Sequence, residues 1–166
     1  MGEISTEISP PELISEEHAL SDFDCGNETL NSWLKTRALD NQNKFSTTRV
    51  VCDVNAVIAY YTLVYGSVNR DEMTRSFKQN APERIPVMIL GRLAVDLKWQ
   101  EKRIGKHLLK EALIKTMEAS RIAAVRGLIV HAIDDKAKAY YQHYGFLESK
   151  IELTLFLPLE NIKHQL

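Results

Sequence analysis

No stretch of about 18 consecutive apolar residues occurs in this 166-residue chain, so no membrane-spanning helix is expected. The opening residues are acidic and lack an apolar leader core, so no secretory signal is expected either. Cysteine is scarce: Cys25 and Cys52 form no CxxC pair, which excludes a disulfide framework. Two free thiols suit a reducing cytoplasm. The five histidines (His18, His107, His131, His143, His164) are scattered and no HExxH is present, so no metal centre is expected. Both common glycine-rich nucleotide loops, GxxxxGK[ST] and GxGxxG, are absent. No internal repeat or low-complexity tract is visible.

What is present is a globular balance, 45% hydrophobic and 26% charged, in a length that suits one domain over residues 1–166. The formal net charge of −1 hides an asymmetry. Residues 1–28 hold eight acids (Glu3, Glu7, Glu12, Glu16, Glu17, Asp22, Asp24, Glu28) and no lysine or arginine. The remainder carries 21 basic and 14 acidic residues, a net of +7. A near-neutral total therefore does not exclude a nucleic-acid partner.

The order of elements follows from periodicity. Pro10-Pro11 precedes a short edge strand at Leu13-Ile14. Leu30, Trp33, Leu34, Arg37 and Ala38 recur at helical spacing, and Asn27 can cap that helix. Thr48 to Cys52 and Val57 to Val68 read as strands joined by a turn at Asp53-Val54-Asn55. Residues 69–84 are polar, with Met73 and Phe77 four apart, and read as a short helix or ordered loop. Ile85 to Val95 reads as a buried strand with Gly91 as a bulge or close approach. Ile104, Leu108, Ala112 and Leu109, Leu113, Met117 form adjacent rows of a long amphipathic helix. Val125 to Ala132 is another buried strand. A helix capped by Asp134 or Asp135 runs to Tyr144, with Gly145 beyond its end, and Leu153 to Leu157 is a last strand. Strands interleaved with helices imply an α/β sheet with helices on both faces.

Two segments carry candidate chemistry. After the strand ending Leu93-Ala94-Val95-Asp96, a helix opens near Lys102-Arg103-Ile104-Gly105-Lys106. Free backbone N–H groups and three cations there suit phosphate oxygens; the same residues also suit an ordinary solvated helix start. In Ala137–Phe146, Tyr140, Tyr141 and Tyr144 read either as a packing stripe or as a source of one general-acid hydroxyl.

The motifs Gly91-Arg92-Leu93-Ala94-Val95-Asp96, Gln100-x-x-x-x-Gly105 and Ala137-x-x-Tyr140-Tyr141-x-x-x-Gly145-Phe146 resemble those of GNAT acetyltransferases. Asp22-Phe23-Asp24-Cys25-Gly26-Asn27, Leu30-Asn31-x-Trp33-Leu34, Ala38-x-x-Asn41-Gln42, Tyr60-Tyr61-x-Leu63 and Ile85 to Asp96 resemble one branch, the acetyltransferase toxins of toxin–antitoxin pairs. The ordered set covers residues 22 to 146. The resemblance implies the GNAT fold, a mixed, mostly antiparallel central sheet flanked by helices on both faces. It implies acetyl-CoA as cofactor, the α-amine of an aminoacyl-tRNA as acceptor, a small ribbon-helix-helix antitoxin as partner, and a homodimer. A GNAT enzyme acting on a small amine or a protein N-terminus is the alternative.

The same resemblance assigns roles. The backbone of Leu93, Ala94 and Val95 is expected to pair with the pantetheine arm. N–H groups across Lys102, Arg103, Ile104, Gly105 and Lys106 are expected to hold the pyrophosphate, with Gln100 at the first motif position. Tyr141 takes the catalytic tyrosine's place and Tyr140 the packing aromatic's. Arg103 departs from the family pattern by standing where a glycine is usual. Helical backbone angles are expected at Arg103, leaving its guanidinium free to pair with a phosphate; crowding of the site is the other reading. Basic residues expected to meet tRNA are Lys35, Arg37, Lys44, Arg49 and Arg92, with Arg70, Arg75, Lys78 and Arg84 from segment 69–84.

Overall fold

The computed structural model describes residues 8–165. Glu3 and Glu7 of the acidic opening lie outside the described residues. Seven strands form a sheet in the order β1-β2-β3-β4-β5-β7-β6. They are β1 (Glu12–Leu13), β2 (Thr47–Asp53), β3 (Ala56–Asn69), β4 (Arg84–Val95), β5 (Gly127–His131), β6 (Leu147–Glu148) and β7 (Thr154–Pro158). The β4–β5 pair is parallel, and β1–β2, β2–β3, β5–β7 and β6–β7 are antiparallel. The mixed, mostly antiparallel sheet expected from the sequence is thus present. Its helices are α1 (Glu28–Thr36), α2 (Ala38–Asn41), α3 (Arg75–Lys78), α4 (Ile104–Ser120), α5 (Asp135–His143) and α6 (Leu159–Gln165).

The described residues form two compact units, 8–63 with 92–109 and 64–91 with 110–165. In the first, Asn27 Oδ1 accepts from Leu30 N and caps α1. The helical spacing through Ala38 is interrupted at Arg37 (φ −124°, ψ −30°), so α2 is a separate turn. Phe23, Leu34, Ala38, Val50, Cys52, Val57, Tyr60 and Ala94 make its core, with Leu30 and Trp33 packed against them. Asp53 pairs with Ala56, which makes Val54-Asn55 a two-residue hairpin turn. Val54 sits at φ +58°, a conformation that disfavours a β-branched residue.

In the second unit Val68, Met73, Phe77, Ile85, Val87, Ile129 and Phe156 form the core. Met73 and Phe77, four apart in the polar segment, are its inward anchors. Phe77 packs on Phe156 at 4.7 Å between ring centroids. β4 runs through Gly91 without interruption. The close approaches are at Gly66, where an added Cβ would lie 2.5 Å from Ile89 Cδ1, and at Gly127, 2.3 Å from the Leu157 carbonyl oxygen. β6 and α6 are elements that periodicity did not reveal. Asp134 is the α5 cap, accepting from Ala137 N at 2.8 Å, and Gly145 follows the helix at φ +93°.

Candidate active site

The first unit holds the end of β4, the turn after it and the start of α4. Asp96 organises this junction. Its buried carboxylate accepts from Asp24 N through Oδ2 (3.0 Å) and from Lys98 N through Oδ1 (2.9 Å). Its own N–H donates to Ile58 O, and Leu97 N donates to Asp24 O, both at 2.8 Å. The segment Asp24–Asn27 is thereby tied to β4. Asn31 is buried and continues the tie, donating to Asp24 Oδ1 and accepting from Cys25 N. The Gly26 N–H and the Asn31 amide hold the Asp24 carboxyl below its usual pKa. The acidic and amide residues of this stretch therefore brace the backbone.

Gln100 is part of the same brace. Its side-chain amide donates to Val95 O (2.9 Å) and to Cys25 O (3.2 Å). It fixes the carbonyl of one of the three residues expected to meet the pantetheine arm. Ala94 is buried in the core, while Leu93 and Val95 are half-buried.

Glu101 and Arg103 have φ of +64° and +66°. This overturns the expectation of helical angles at Arg103. The chain makes a left-handed turn there, which explains why glycine suits this position: it meets no Cβ penalty. The Arg103 carbonyl accepts the first helical bond, from His107 N at 3.1 Å. Helix geometry leaves the N–H groups of Ile104, Gly105 and Lys106 without intrahelical partners, and Arg103 has no side-chain oxygen to cap them. Lys102, Arg103 and Lys106 are exposed around this 17-residue helix's start. Three free donors, the positive end of the helix dipole and three cations fit a pyrophosphate.

Arg92, one residue before the expected cofactor strand, lies over the Trp33 ring at 3.8 Å. Trp33 stacks in turn on Tyr60, centroids 6.2 Å apart at 13°, and the Tyr60 hydroxyl donates to Leu30 O. Burial lowers the Arg92 pKa and pushes the Tyr60 pKa up. Among the described residues Arg92 has no carboxylate ion pair, so a stacked, partly buried guanidinium is held with its charge uncompensated. Lys35, Arg37 and Lys44 are exposed in this unit, and Arg49 is half-buried on β2.

The second unit holds Tyr141. It is 8% exposed, on α5, with its ring edge-on to Phe146 (5.5 Å) and Tyr140 (5.3 Å). Its carbonyl accepts from Tyr144 N and Phe146 N, which locks the turn after the helix. Burial, then Tyr140, pushes the Tyr141 pKa well above the ordinary tyrosine value. Tyr140 is itself pushed up to about 12, mainly by burial. Gly145 is favoured here by its φ of +93°; the nearest atom to an added Cβ is the movable Gln165 Nε2 at 2.6 Å. Arg70, Arg75, Lys78 and Arg84 also belong to this unit.

One cluster was not visible in the sequence: ligand-type atoms of Glu12, His18 and Cys52 come within 4.8 Å of one another. Both His18 ring nitrogens are engaged, Nδ1 accepting from Ser15 N and Nε2 facing Glu12 at 2.9 Å. This arrangement reads as a structural clasp on the edge strand.

Residues 24–154 match the acetyltransferase (GNAT) domain family. The chain belongs to the GNAT acetyltransferase family. It is 35% identical over 139 residues to a tRNA-acetylating toxin of Mycobacterium tuberculosis (strain ATCC 25618 / H37Rv), covering 83% of this chain and 84% of the relative. The structure of AtaT complexed with acetyl-methionyl-tRNAfMet superposes with a TM-score of 0.87 at 30% identity, covering 93% of this chain and 97% of AtaT. A tyrosine-to-phenylalanine variant of KacT superposes with a TM-score of 0.89 at 27% identity, covering 97% and 100%. The GNAT match spans the Asp24 brace, the β4–α4 junction and Tyr141.

Proposed function

We propose that this GNAT enzyme transfers the acetyl group of acetyl-CoA to the α-amine of aminoacyl-tRNA and so removes charged tRNA from translation. The likeness to a tRNA-acetylating toxin along most of both chains carries the reading. The +7 balance of residues 29–166 and the stacked, unpaired Arg92 support a polyanionic acceptor.

The cofactor supplies an activated acetyl thioester. Leu93, Ala94 and Val95 offer strand backbone to its pantetheine arm, and the Ile104, Gly105 and Lys106 N–H groups offer donors to its pyrophosphate. Lys102, Arg103 and Lys106 add charge. Gln100 acts through the backbone it braces. Lys35, Arg37, Lys44, Arg49, Arg75, Lys78 and Arg92 are the proposed tRNA contacts.

Tyr141 is the proposed catalytic hydroxyl, placed to meet the departing thiolate. Its raised pKa keeps the hydroxyl protonated throughout the physiological range. Full proton transfer to a thiolate whose parent pKa is ~8.5 would run uphill. A hydrogen bond donated as the C–S bond breaks does not need that transfer, and it stabilises the developing charge. The acceptor needs little help in losing its proton. An α-amine titrates near ~7.7–8.0, and the adjacent ester withdraws electrons, so a large neutral fraction exists at neutral pH; the proton that the nitrogen sheds after attack passes to water, and CoA leaves as the thiolate.

The cytoplasm follows from the substrate; among the described residues no helix is long and apolar enough to cross a membrane. The finer partners are a ribbon-helix-helix antitoxin and a second copy of the chain. The test is incubation of the full chain with total charged tRNA and labelled acetyl-CoA, beside a protein N-terminal peptide and small amines. Label on the aminoacyl group supports the reading. Label on the peptide or the small amines alone gives the alternative GNAT acceptor.

A further inference from the structure

Segment 69–84 leaves β3 and returns in β4, and its inward side is firmly held. Phe77 is buried, and Arg126 lies over its ring at 4.8 Å. Arg126 also donates to Phe77 O (3.2 Å) and makes a bidentate pair with Glu160 (2.6 and 3.0 Å). The outward side is an open groove of about 850 Å³ lined by Arg70, Thr74, Arg75, Ser76, Lys78 and Gln79. No carboxylate is among these lining side chains.

A further cation joins them from a distant part of the sequence. The Lys150 N–H donates to Glu72 O at 2.9 Å, which fastens the β6–β7 connection to this segment. The Lys150 ammonium faces Lys78 and is the main cause lowering the Lys78 pKa, against a smaller opposing effect of Asp71. Among the described residues Arg75, Lys78 and Lys150 have no carboxylate ion pair. Two like charges held together without an anion are unfavourable in the free protein. An anion placed between them reverses the sign of that interaction.

We propose that this groove binds the sugar–phosphate backbone of the RNA substrate, with Lys78 and Lys150 sharing one phosphate and Arg70 and Arg75 meeting its neighbours. The proposal rests on the aminoacyl-tRNA reading and adds Lys150 to the contacts drawn from the sequence. The groove exceeds what a single phosphate fills, and three cations, Arg70, Arg75 and Lys78, line it. Thr74, Ser76 and Gln79 supply neutral donors suited to ribose and phosphate oxygens. No aromatic ring lines it, since Phe77 is turned inward, so it reads backbone and not bases.

The test is binding of uncharged tRNA to the full chain as a function of salt, for the parent protein, Lys78→Gln, Lys150→Gln and the double variant, with exposed Lys163→Gln as control. The slope of log affinity against log salt is expected to fall by roughly one in the double variant, where the shared phosphate loses both lysines, and by less than that in either single variant. Lys163→Gln is expected to keep the parent slope. Thermal midpoints report folding, and the single variants are expected to melt no lower than the parent because a repulsion is relieved. A double variant that folds and keeps the parent slope overturns the proposal. So does pair-dependent binding of an acidic peptide with an unchanged RNA slope. Acetyl transfer to charged tRNA is measured alongside. A pair-dependent slope without transfer overturns the acceptor reading and leaves the groove; transfer with a pair-independent slope overturns the groove alone.

Discussion

Arg103→Gly is the perturbation whose sign is least obvious. Arg103 stands at φ +66° immediately before α4. A left-handed L-residue costs about 1–2 kcal/mol, which glycine relieves. Glycine's extra freedom in the unfolded chain gives back ~0.5–1 kcal/mol. The net effect is between about zero and 1.5 kcal/mol of stabilisation, a rise in thermal midpoint of up to roughly 5 °C for a chain this long. Cofactor affinity should move the other way. An exposed guanidinium pairing with a phosphate contributes about 0.2–1 kcal/mol. Loss of that pairing weakens acetyl-CoA roughly 1.5- to 5-fold, because ~1.4 kcal/mol is tenfold. Arg103→Ala separates the two effects: it loses the charge, keeps the Cβ, and should weaken binding equally without the gain in midpoint. Calorimetric titration with acetyl-CoA and thermal unfolding of both variants read these numbers. Tenfold tighter binding by the glycine variant, with alanine unchanged, would show that the side chain crowds the phosphate and refute the pairing.

Tyr141→Phe should lower kcat/KM by about 10²–10⁴-fold while leaving acetyl-CoA affinity within twofold, as measured by steady-state kinetics and titration. Asp96→Ala removes acceptors for two backbone N–H groups near a buried position, which should cost about 2–4 kcal/mol in denaturant unfolding. Gln100→Ala releases the Val95 and Cys25 carbonyls and should weaken acetyl-CoA several-fold with no change in the salt dependence of tRNA binding. At alkaline pH the raised Tyr140 pKa has a definite sign. Its contribution to stability is complete below the unfolded value of 10 and is lost as pH rises towards about 12. Unfolding followed across that window should show a fall in stability that Tyr140→Phe reduces.

The longer strands, α1, α4 and α5 were legible because each buries a continuous apolar run or a regular stripe, and α1 and α5 carry their own caps, Asn27 and Asp134. β6 and α6 were not. A two-residue edge strand has no periodicity, and α6 is defined by tertiary anchors such as Glu160 on Arg126 and the buried Ile162. The β4–α4 junction was legible as a motif, but its backbone was misjudged. A helix start was expected to place Arg103 in helical angles, whereas the turn that frees the N–H groups needs φ to become positive. The roles of Asp96 and Gln100 as braces were hidden because their partners, Asp24 and Cys25, lie more than seventy residues away. Lys150 was missed for the same reason: only folding brings it to Lys78.

The central claim is the chemical identity of the acceptor. Charged tRNA treated with the enzyme and acetyl-CoA, then digested with ribonuclease, releases the aminoacyl-adenosine terminus for mass spectrometry. The account predicts that terminus carrying one acetyl group on its α-amine, with Tyr141→Phe leaving it unmodified. An unmodified terminus, while the same preparation acetylates a small amine or a peptide, would contradict it.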